Sequence, residues 1–261
     1  MNKKLVIIVT LAFTVVSAVG VALWMRGADE RLLSELEADH RPADAIPRLR
    51  RMVEHDPSLL LPQQWLLRLE IETGDLNSAQ KRLNLLQVKD PGSYGTASSA
   101  CLFYLKKGMG VKATGNCSRA AELSGREVDD LNRLASAYIM VGKLPLALPV
   151  LEEARRKAPE NLKVMNNLGY YYLQAEQPEE AIKILDEVVK KDPKFLEAYK
   201  NLAHACYAAK QFRKAADTIE KILGIDPRNK DMMMIMAFIQ YHNLGRKDLG
   251  AKYSKMAMDL G

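Results

Sequence analysis

Small and large apolar residues recur with a period of 34 residues along most of this chain. Alanine marks the phase most clearly, at Ala45, Ala79, Ala113, Ala147, Ala181 and Ala215. A leucine stands thirteen residues before most of these alanines and a proline twelve residues after most of them: Leu32, Leu66, Leu134, Leu168 and Leu202, and Pro57, Pro91, Pro159, Pro193 and Pro227. A fixed period of this length indicates stacked structural repeats, each in contact only with its neighbours.

Each period predicts two antiparallel helices, most clearly in the repeat 162–195. Its apolar residues return every three or four positions on either side of Glu176-Gln177-Pro178: Leu162, Met165, Leu168 and Tyr172 before it, and Ala181, Ile184, Leu185 and Val188 after it. Asp192-Pro193 ends the second helix, because a residue before proline avoids the helical conformation. We therefore expect an all-α chain of about seven helix pairs, over residues 26–59, 60–93, 94–127, 128–161, 162–195, 196–229 and 230–261.

The residues at fixed positions of each period resemble those of the tetratricopeptide repeat. The repeat 128–161 supplies Leu131, Leu134, Ala135, Tyr138, Ala147, Leu151, Ala154 and Pro159. The repeat 196–229 supplies Tyr199, Leu202, Ala203, Ala215, Ile219 and Pro227, with Cys206 in place of the tyrosine. The resemblance implies an α-solenoid with degenerate repeats over 26–127 and a concave binding groove over 128–261.

The N-terminal segment predicts a membrane anchor. Residues 5–25 carry no charged side chain, and at about 1.5 Å per helical residue such a run spans a bilayer core of roughly 30 Å. Lys3 and Lys4 lie in the short tail 1–4, which the positive-inside rule keeps in the cytoplasm. We expect a single-pass inner-membrane protein with its repeats in the periplasm. The alternative is a cleaved signal peptide, with Ala18-Val19-Gly20 as the cleavage region.

Charge and motif content favour binding over catalysis. The 38 basic and 32 acidic residues give a net charge of +6 without a clustered basic stripe, so we expect no nucleic-acid partner. No metal-ligand spacing joins His40, His55, His204 or His242, and no phosphate-binding loop is present. We therefore expect neither an enzyme nor a metal or cofactor.

Two cysteines fall in the weak repeat 94–127. The resemblance places Cys101 in the first helix and Cys117 in the facing second helix, at positions that pack together in the family. A disulfide between them would close a loop of about 16 residues, a stabilisation of roughly 3 kcal/mol, and would require an oxidising compartment. Two buried thiols are the alternative, while Cys206 is expected in the core.

The resemblance also implies which residues line the groove. The candidate partner-binding residues are Asn132, Lys163, Asn166, Asn167, Tyr170, Lys200, Asn201, His204, Tyr207, Phe238 and Tyr241. Asparagine amides could hydrogen-bond an extended peptide, and the aromatic rings offer rigid contact area. About half of the rings would instead pack between helices in the alternative interpretation. The family's clamp for a C-terminal carboxylate is absent, because Asn132, Glu197 and Asn201 stand where basic residues are needed.

These features predict a membrane-anchored scaffold that binds a peptide segment or helix of another protein. An assembly factor for an envelope complex, such as a secretion or pilus system or cytochrome maturation, is the role that the resemblance implies. A self-assembling scaffold or coat is an alternative, since the last repeat should leave Met256, Ala257 and Leu260 partly uncovered. A secreted periplasmic protein with a cleaved signal is another.

Overall fold

Helices dominate the computed structural model, which describes residues 42–260. Over these residues it contains thirteen α-helices, one π-helical turn and no strand. The helices are α1 Pro42–His55, α2 Leu60–Thr73, α3 Leu76–Lys89, α4 Tyr94–Lys106, α5 Gly110–Leu123, α6 Val128–Met140, α7 Leu144–Lys157, α8 Leu162–Gln174, α9 Pro178–Lys191, α10 Leu196–Ala208, α11 Phe212–Ile225, α12 Lys230–Phe238 and α13 Lys247–Met258. First helices begin at 60, 94, 128, 162, 196 and 230, so the predicted 34-residue period is confirmed.

The contacts divide the described chain into two compact parts, with the boundary at residue 99 inside α4. In the N-terminal part, α1 packs on α2 and α2 on α3. Ala45, Leu49, Met52, Leu66 and Leu69 form its core. Beside that core, Glu70 is buried but accepts two hydrogen bonds from Arg82, at 2.9 and 3.0 Å. The bidentate pairing explains how a carboxylate is tolerated there.

In the C-terminal part, α6, α8, α10 and α12 each pack on the second helix of their own repeat, and α6 also contacts α8 and α8 contacts α10. The phase-marking alanines are fully buried at these crossings, as at Ala147, Ala181 and Ala215. Gly169 allows a close approach, because a β-carbon there would lie 2.5 Å from Leu185 Cγ. The missing side chain at Gly169 therefore makes room for the Leu185 side chain of the paired helix.

The turns inside the repeats share one closing hydrogen bond. A backbone N–H after the turn donates to the carbonyl five residues earlier, from Met109 to Tyr104, Lys143 to Tyr138, Gln177 to Tyr172 and Gln211 to Cys206. Glu176 and Lys210 occupy the left-handed position of this turn, with φ of 57° and 58°, where Gly108 and Gly142 stand in other repeats. Left-handed backbone is costly for residues other than glycine, so the turn geometry is imposed by the surrounding helix pair.

The last repeat contains one residue more than the others. Its second helix begins 17 residues after its first, at 230 and 247, whereas the spacing is 16 in the five preceding described pairs. The extra residue is absorbed as a π-helical turn, Ile239–Asn243, and the closing bond from Arg246 N–H to the Gln240 carbonyl now spans six residues. Gly250, one position beyond the 34-residue step, thereby takes the place of the alanine.

This insertion corrects one expectation. Ala257 is fully buried, not uncovered, because the shifted register gives it the place that the buried Ile222 has in the preceding repeat. Met256 and Met258 are exposed on α13, and Leu260 is half-buried.

Two predicted elements lie outside the described residues. They are the transmembrane segment 5–25 and the first helix of the repeat 26–59. From residue 42 to residue 260, no helix is both long and apolar enough to cross a membrane.

Pro47 and Pro149 lie inside α1 and α7, which continue through them.

Candidate functional site

The predicted groove residues lie on the first helices of the last four repeats. Asn132 lies on α6; Lys163, Asn166, Asn167 and Tyr170 on α8; Lys200, Asn201, His204 and Tyr207 on α10; Phe238 on α12; and Tyr241 in the π turn. Helix α6 contacts α8, and α8 contacts α10, so the repeat stacking brings consecutive sets together. These residues form two groups. The polar middle is Asn132, Lys163, Asn166, Asn167, Tyr170, Lys200 and Asn201, and the aromatic end is His204, Tyr207, Phe238 and Tyr241.

The polar middle is a ladder of asparagines that bond to one another. Asn167 Nδ2 donates to Asn132 Oδ1 and to Ser136 Oγ, both at 2.8 Å. One repeat further on, Asn201 Nδ2 donates to Asn166 Oδ1 at 2.9 Å. Because a side-chain amide has two N–H donors, those of Asn167 are already used between α6 and α8. Asn167 thus joins neighbouring first helices, which is a structural role that the sequence interpretation did not foresee.

The charged groove residues are modest in number and partly paired. Lys200 Nζ donates to Glu197 Oε1 at 3.0 Å, a pair on one helix that contributes little at an exposed site. Lys163 and Tyr170 are exposed on α8 without entering the asparagine ladder. The polar middle therefore presents a nearly neutral surface.

The aromatic end is a chain of exposed rings on α10, α12 and the π turn. The ring of Tyr207 lies 5.6 Å from that of Phe212 and 6.5 Å from that of Phe238. Phe238 in turn lies 4.7 Å from His242, and Tyr241 lies 4.8 Å from His242. Tyr207, Phe238 and Tyr241 remain 38%, 49% and 43% exposed, so they contact each other without being buried as core residues.

A cavity of about 190 Å³ opens between α10 and α12, beside these rings. Its lining is apolar apart from the His204 imidazole and the Tyr207 hydroxyl. The lining residues are Ala203, His204, Tyr207, Met232, Ile235 and Phe238. Drug-sized ligands occupy pockets of about 300–1,000 Å³, so this cavity is of a size for one inserted side chain. His204, Tyr207 and Phe238 were predicted, whereas Met232 and Ile235 were not.

A second cavity, of about 290 Å³, lies in the N-terminal part between α2 and the start of α4. The side chains of Trp65 and Arg68 line it, with the guanidinium 5.7 Å from the indole centroid. Tyr94, Ser98 and Ser99 complete its far wall. Trp65, Arg68, Ser98 and Ser99 occupy helix positions that carry predicted groove residues in later repeats, but the sequence interpretation confined the groove to residues 128–261.

The cysteines lie away from both cavities' linings. Cys101 and Cys117 form a disulfide between α4 and α5, with a Cα–Cα distance of 4.7 Å. Cys206 is a buried free thiol on α10, and burial raises its pKa to about 11. A thiol with so high a pKa is a poor nucleophile at neutral pH. Nor does the described chain, residues 42–260, contain a cluster of three or more His, Cys, Asp or Glu side chains that could hold a metal ion.

Helix pairs stacked at a 34-residue period, with first helices lining a common surface, define an α-helical repeat protein. The model of the tetratricopeptide repeat matches residues 138–204 and 172–239. With the period and the helix pairing, this match identifies the stacked helix pairs of residues 138–239 as tetratricopeptide repeats.

Solved structures share this fold at low sequence identity. MamA from Desulfovibrio magneticus RS-1 is 18% identical, with a TM-score of 0.55 over 64% of this chain and 94% of that one. MamA AMB-1 is 24% identical, with a TM-score of 0.51 over 63% and 96%. PilF from Pseudomonas aeruginosa is 17% identical, with a TM-score of 0.59 over 76% and 90%. No curated protein matches the chain in sequence.

Proposed function

We propose that this protein binds a segment of another protein along the first helices α8, α10 and α12 and works as a scaffold, not as a catalyst. The observation that carries the proposal is the apolar cavity between α10 and α12, bordered by Tyr207 and Phe238, which are both more than one-third exposed. Exposed aromatic clusters around a pocket are typical of protein interaction sites.

The geometry supports a division of labour along the groove. The cavity takes one apolar side chain of the partner, and Tyr170, Lys163 and Lys200 contact the polar parts of the same segment. The asparagine ladder holds α6, α8 and α10 in fixed register, and a preformed groove lowers the ordering cost of binding. Since the middle of the groove is nearly neutral, we expect the partner segment to be neutral or weakly charged there.

The cellular setting belongs to the same proposal. The uncharged run 5–25 after Lys3 and Lys4 supports a single inner-membrane anchor with the repeats in the periplasm. The Cys101–Cys117 disulfide is consistent with an oxidising compartment. An anchored scaffold in that place would suit the assembly of an envelope complex.

Site-specific crosslinking tests the groove directly. A photoreactive amino acid at Phe238 of the full chain, expressed in its own membranes, should crosslink a discrete partner through the cavity. The same group at Glu187, which is exposed on the second helix α9, is the matched control and should not. Equal crosslinking at the two positions would contradict binding of the partner in the groove.

The captured partner then permits an affinity test. Phe238→Ala should weaken binding by about thirtyfold or more, since truncation of a central aromatic anchor typically costs about 2 kcal/mol. Glu187→Ala should bind as the unaltered chain does. Unchanged affinity for Phe238→Ala would contradict the proposed anchor pocket, whatever the partner.

Self-association is the second candidate, favoured by Met256 and Met258, which are 39% and 68% exposed on α13. Light scattering on the full chain in detergent, with Met258→Lys as the comparison, tests it. A mass that stays monomeric at all concentrations would exclude this alternative.

A further inference from the structure

Exposed apolar side chains and lysines share one edge of the repeats 94–127 and 128–161. The turn between α4 and α5 exposes Met109 and Val111, and the turn between α6 and α7 exposes Met140 and Leu146. Val111 is 83% exposed and Leu146 is 47% exposed, although both are aliphatic. Apolar side chains exposed together in this way often mark an interaction surface.

The two turns form one continuous surface. Gly110 lies so close to the neighbouring turn that a β-carbon on it would be 2.5 Å from Val141 Cγ1 and 3.1 Å from Met140 Cγ. A larger residue at position 110 would therefore separate α5 from the end of α6. We call the surface formed by residues 106–112 and 140–146 the turn edge.

The turn edge is cationic without any acidic residue. Lys106, Lys107, Lys112 and Lys143 lie in it, and no Asp or Glu occurs from residue 91 to 121 or from 131 to 151. Two of the lysines are held at the surface by aromatic rings, since Lys107 Nζ lies 5.6 Å from the Phe103 centroid and Lys112 Nζ 5.4 Å from the Tyr104 centroid. The turn edge thus combines four exposed apolar side chains with the exposed lysines Lys107, Lys112 and Lys143.

The equivalent turn of the next repeat shows that the turn position does not require this chemistry. Between α8 and α9 the chain carries Glu176, Glu179 and Glu180 and no lysine. The same backbone turn, with its closing hydrogen bond from Gln177 to Tyr172, is therefore compatible with an acidic surface. The lysines and apolar residues of the turn edge are therefore not required to make the turn.

We propose that the turn edge contacts an anionic membrane surface, with Val111, Met109, Met140 and Leu146 entering the headgroup region and Lys107, Lys112 and Lys143 binding lipid phosphates. Apolar side chains combined with lysines are the arrangement that binds interfacially to anionic bilayers, and each lysine near the surface contributes a factor of about five in affinity. The apolar side chains protrude from turns and do not line a cleft, which fits a bilayer surface better than a protein segment. This contact is independent of the groove.

Lysine reactivity in nanodiscs tests the proposal on the full chain. The protein is reconstituted in phosphatidylcholine alone or in phosphatidylcholine mixed with phosphatidylglycerol, and an amine reagent is followed at each lysine by mass spectrometry. Lys107, Lys112 and Lys143 should react about fivefold more slowly in the anionic discs than in the neutral ones, and high salt should abolish the difference. Lys194, exposed in the loop after α9, is the internal control and should react equally in both.

A double variant, Val111→Glu with Leu146→Glu, should restore the reaction rates of the neutral discs with an unchanged melting temperature, because both positions are exposed. Equal rates in the two kinds of disc for the unaltered chain would overturn the proposal, whether or not the variant folds. If the turn-edge lysines react slowly in native membranes but at equal rates in both kinds of disc, the turn edge contacts an acidic protein. That result would also overturn the membrane proposal.

Discussion

The polar middle and the aromatic end of the groove use the side chains of their first helices for different purposes. In the middle, side-chain amides at successive repeats satisfy each other, as Asn167 does with Asn132 and Asn201 does with Asn166. At the end, the corresponding helices carry rings that stay exposed around a cavity. The comparison suggests that the middle gives its side chains to stability, whereas the end reserves them for a partner. Four changes test this contrast, from the largest expected effect to the smallest.

The first and largest effect concerns helix contact. Gly169→Ala in the middle places a β-carbon 2.5 Å from Leu185 Cγ, and overpacking of this kind should lower the free energy of unfolding by about 3 kcal/mol in denaturant titration. Gly250→Ala at the end meets Tyr241 Cβ at 2.8 Å and the Ala237 carbonyl oxygen at 3.0 Å, so it should destabilise and also displace a groove ring.

Partner affinity separates these two variants. Gly169→Ala should leave the affinity of the folded protein unchanged, whereas Gly250→Ala should weaken it. The control is Gly224→Ala in α11, where nothing lies within 4 Å, and it should stabilise by about 0.5–1 kcal/mol. A stable Gly169→Ala protein would show that the middle is less tightly packed than the structure indicates.

The second effect concerns the asparagine ladder. Asn167→Ala removes two short hydrogen bonds and leaves Asn132 and Ser136 without their donor, so we expect a loss of about 2 kcal/mol in unfolding free energy. Asn201→Ala removes one such bond and should cost about half as much. If Asn167→Ala instead reduced partner binding with no change in stability, the amide would serve recognition, as the sequence first suggested.

The third effect has the opposite sign and concerns an amide at the end. Gln240 is buried in the π turn, where its Nε2 donates only weakly to Met236 Sδ at 3.4 Å and its Oε1 has no hydrogen-bond partner within residues 42–260. Gln240→Met should therefore raise the free energy of unfolding by about 1 kcal/mol, or the melting temperature by about 2–4 °C. A lower melting temperature would mean that a bound water satisfies this oxygen.

Sequence periodicity predicted the helix pairs because burial requires apolar residues at fixed helical positions, and the alanines and Asp-Pro pairs recur with them. The insertion in the last repeat escaped the same reasoning, since Leu249 keeps the 34-residue step in number while Gly250 takes the packed position. The hydrogen bonds within the asparagine ladder also could not be predicted, because the sequence shows only that an asparagine stands at a groove position. It does not show whether the amide bonds a partner or a neighbouring helix. The cavity depends on the separation of α10 and α12, which no single residue encodes.

The smallest effect concerns Cys206, which stands on α10 where the repeats of the middle carry Tyr138 and Tyr172. Burial raises its pKa to about 11 from an ordinary value of 9.0, so between these two pH values the folded chain retains a thiol proton that the unfolded chain loses. Stability from this group is therefore complete below pH 9 and is lost as the pH rises toward 11. The loss should stay below about 1 kcal/mol up to about pH 9.5. Denaturant titrations at several pH values should show a shallower decline for Cys206→Ala than for the unaltered chain. Tyr253→Phe measures the separate contribution of Tyr253, because burial raises the pKa of that phenol in the same direction. If Cys206→Ala declines as steeply as the unaltered chain, the thiol is more accessible to solvent than its burial on α10 implies.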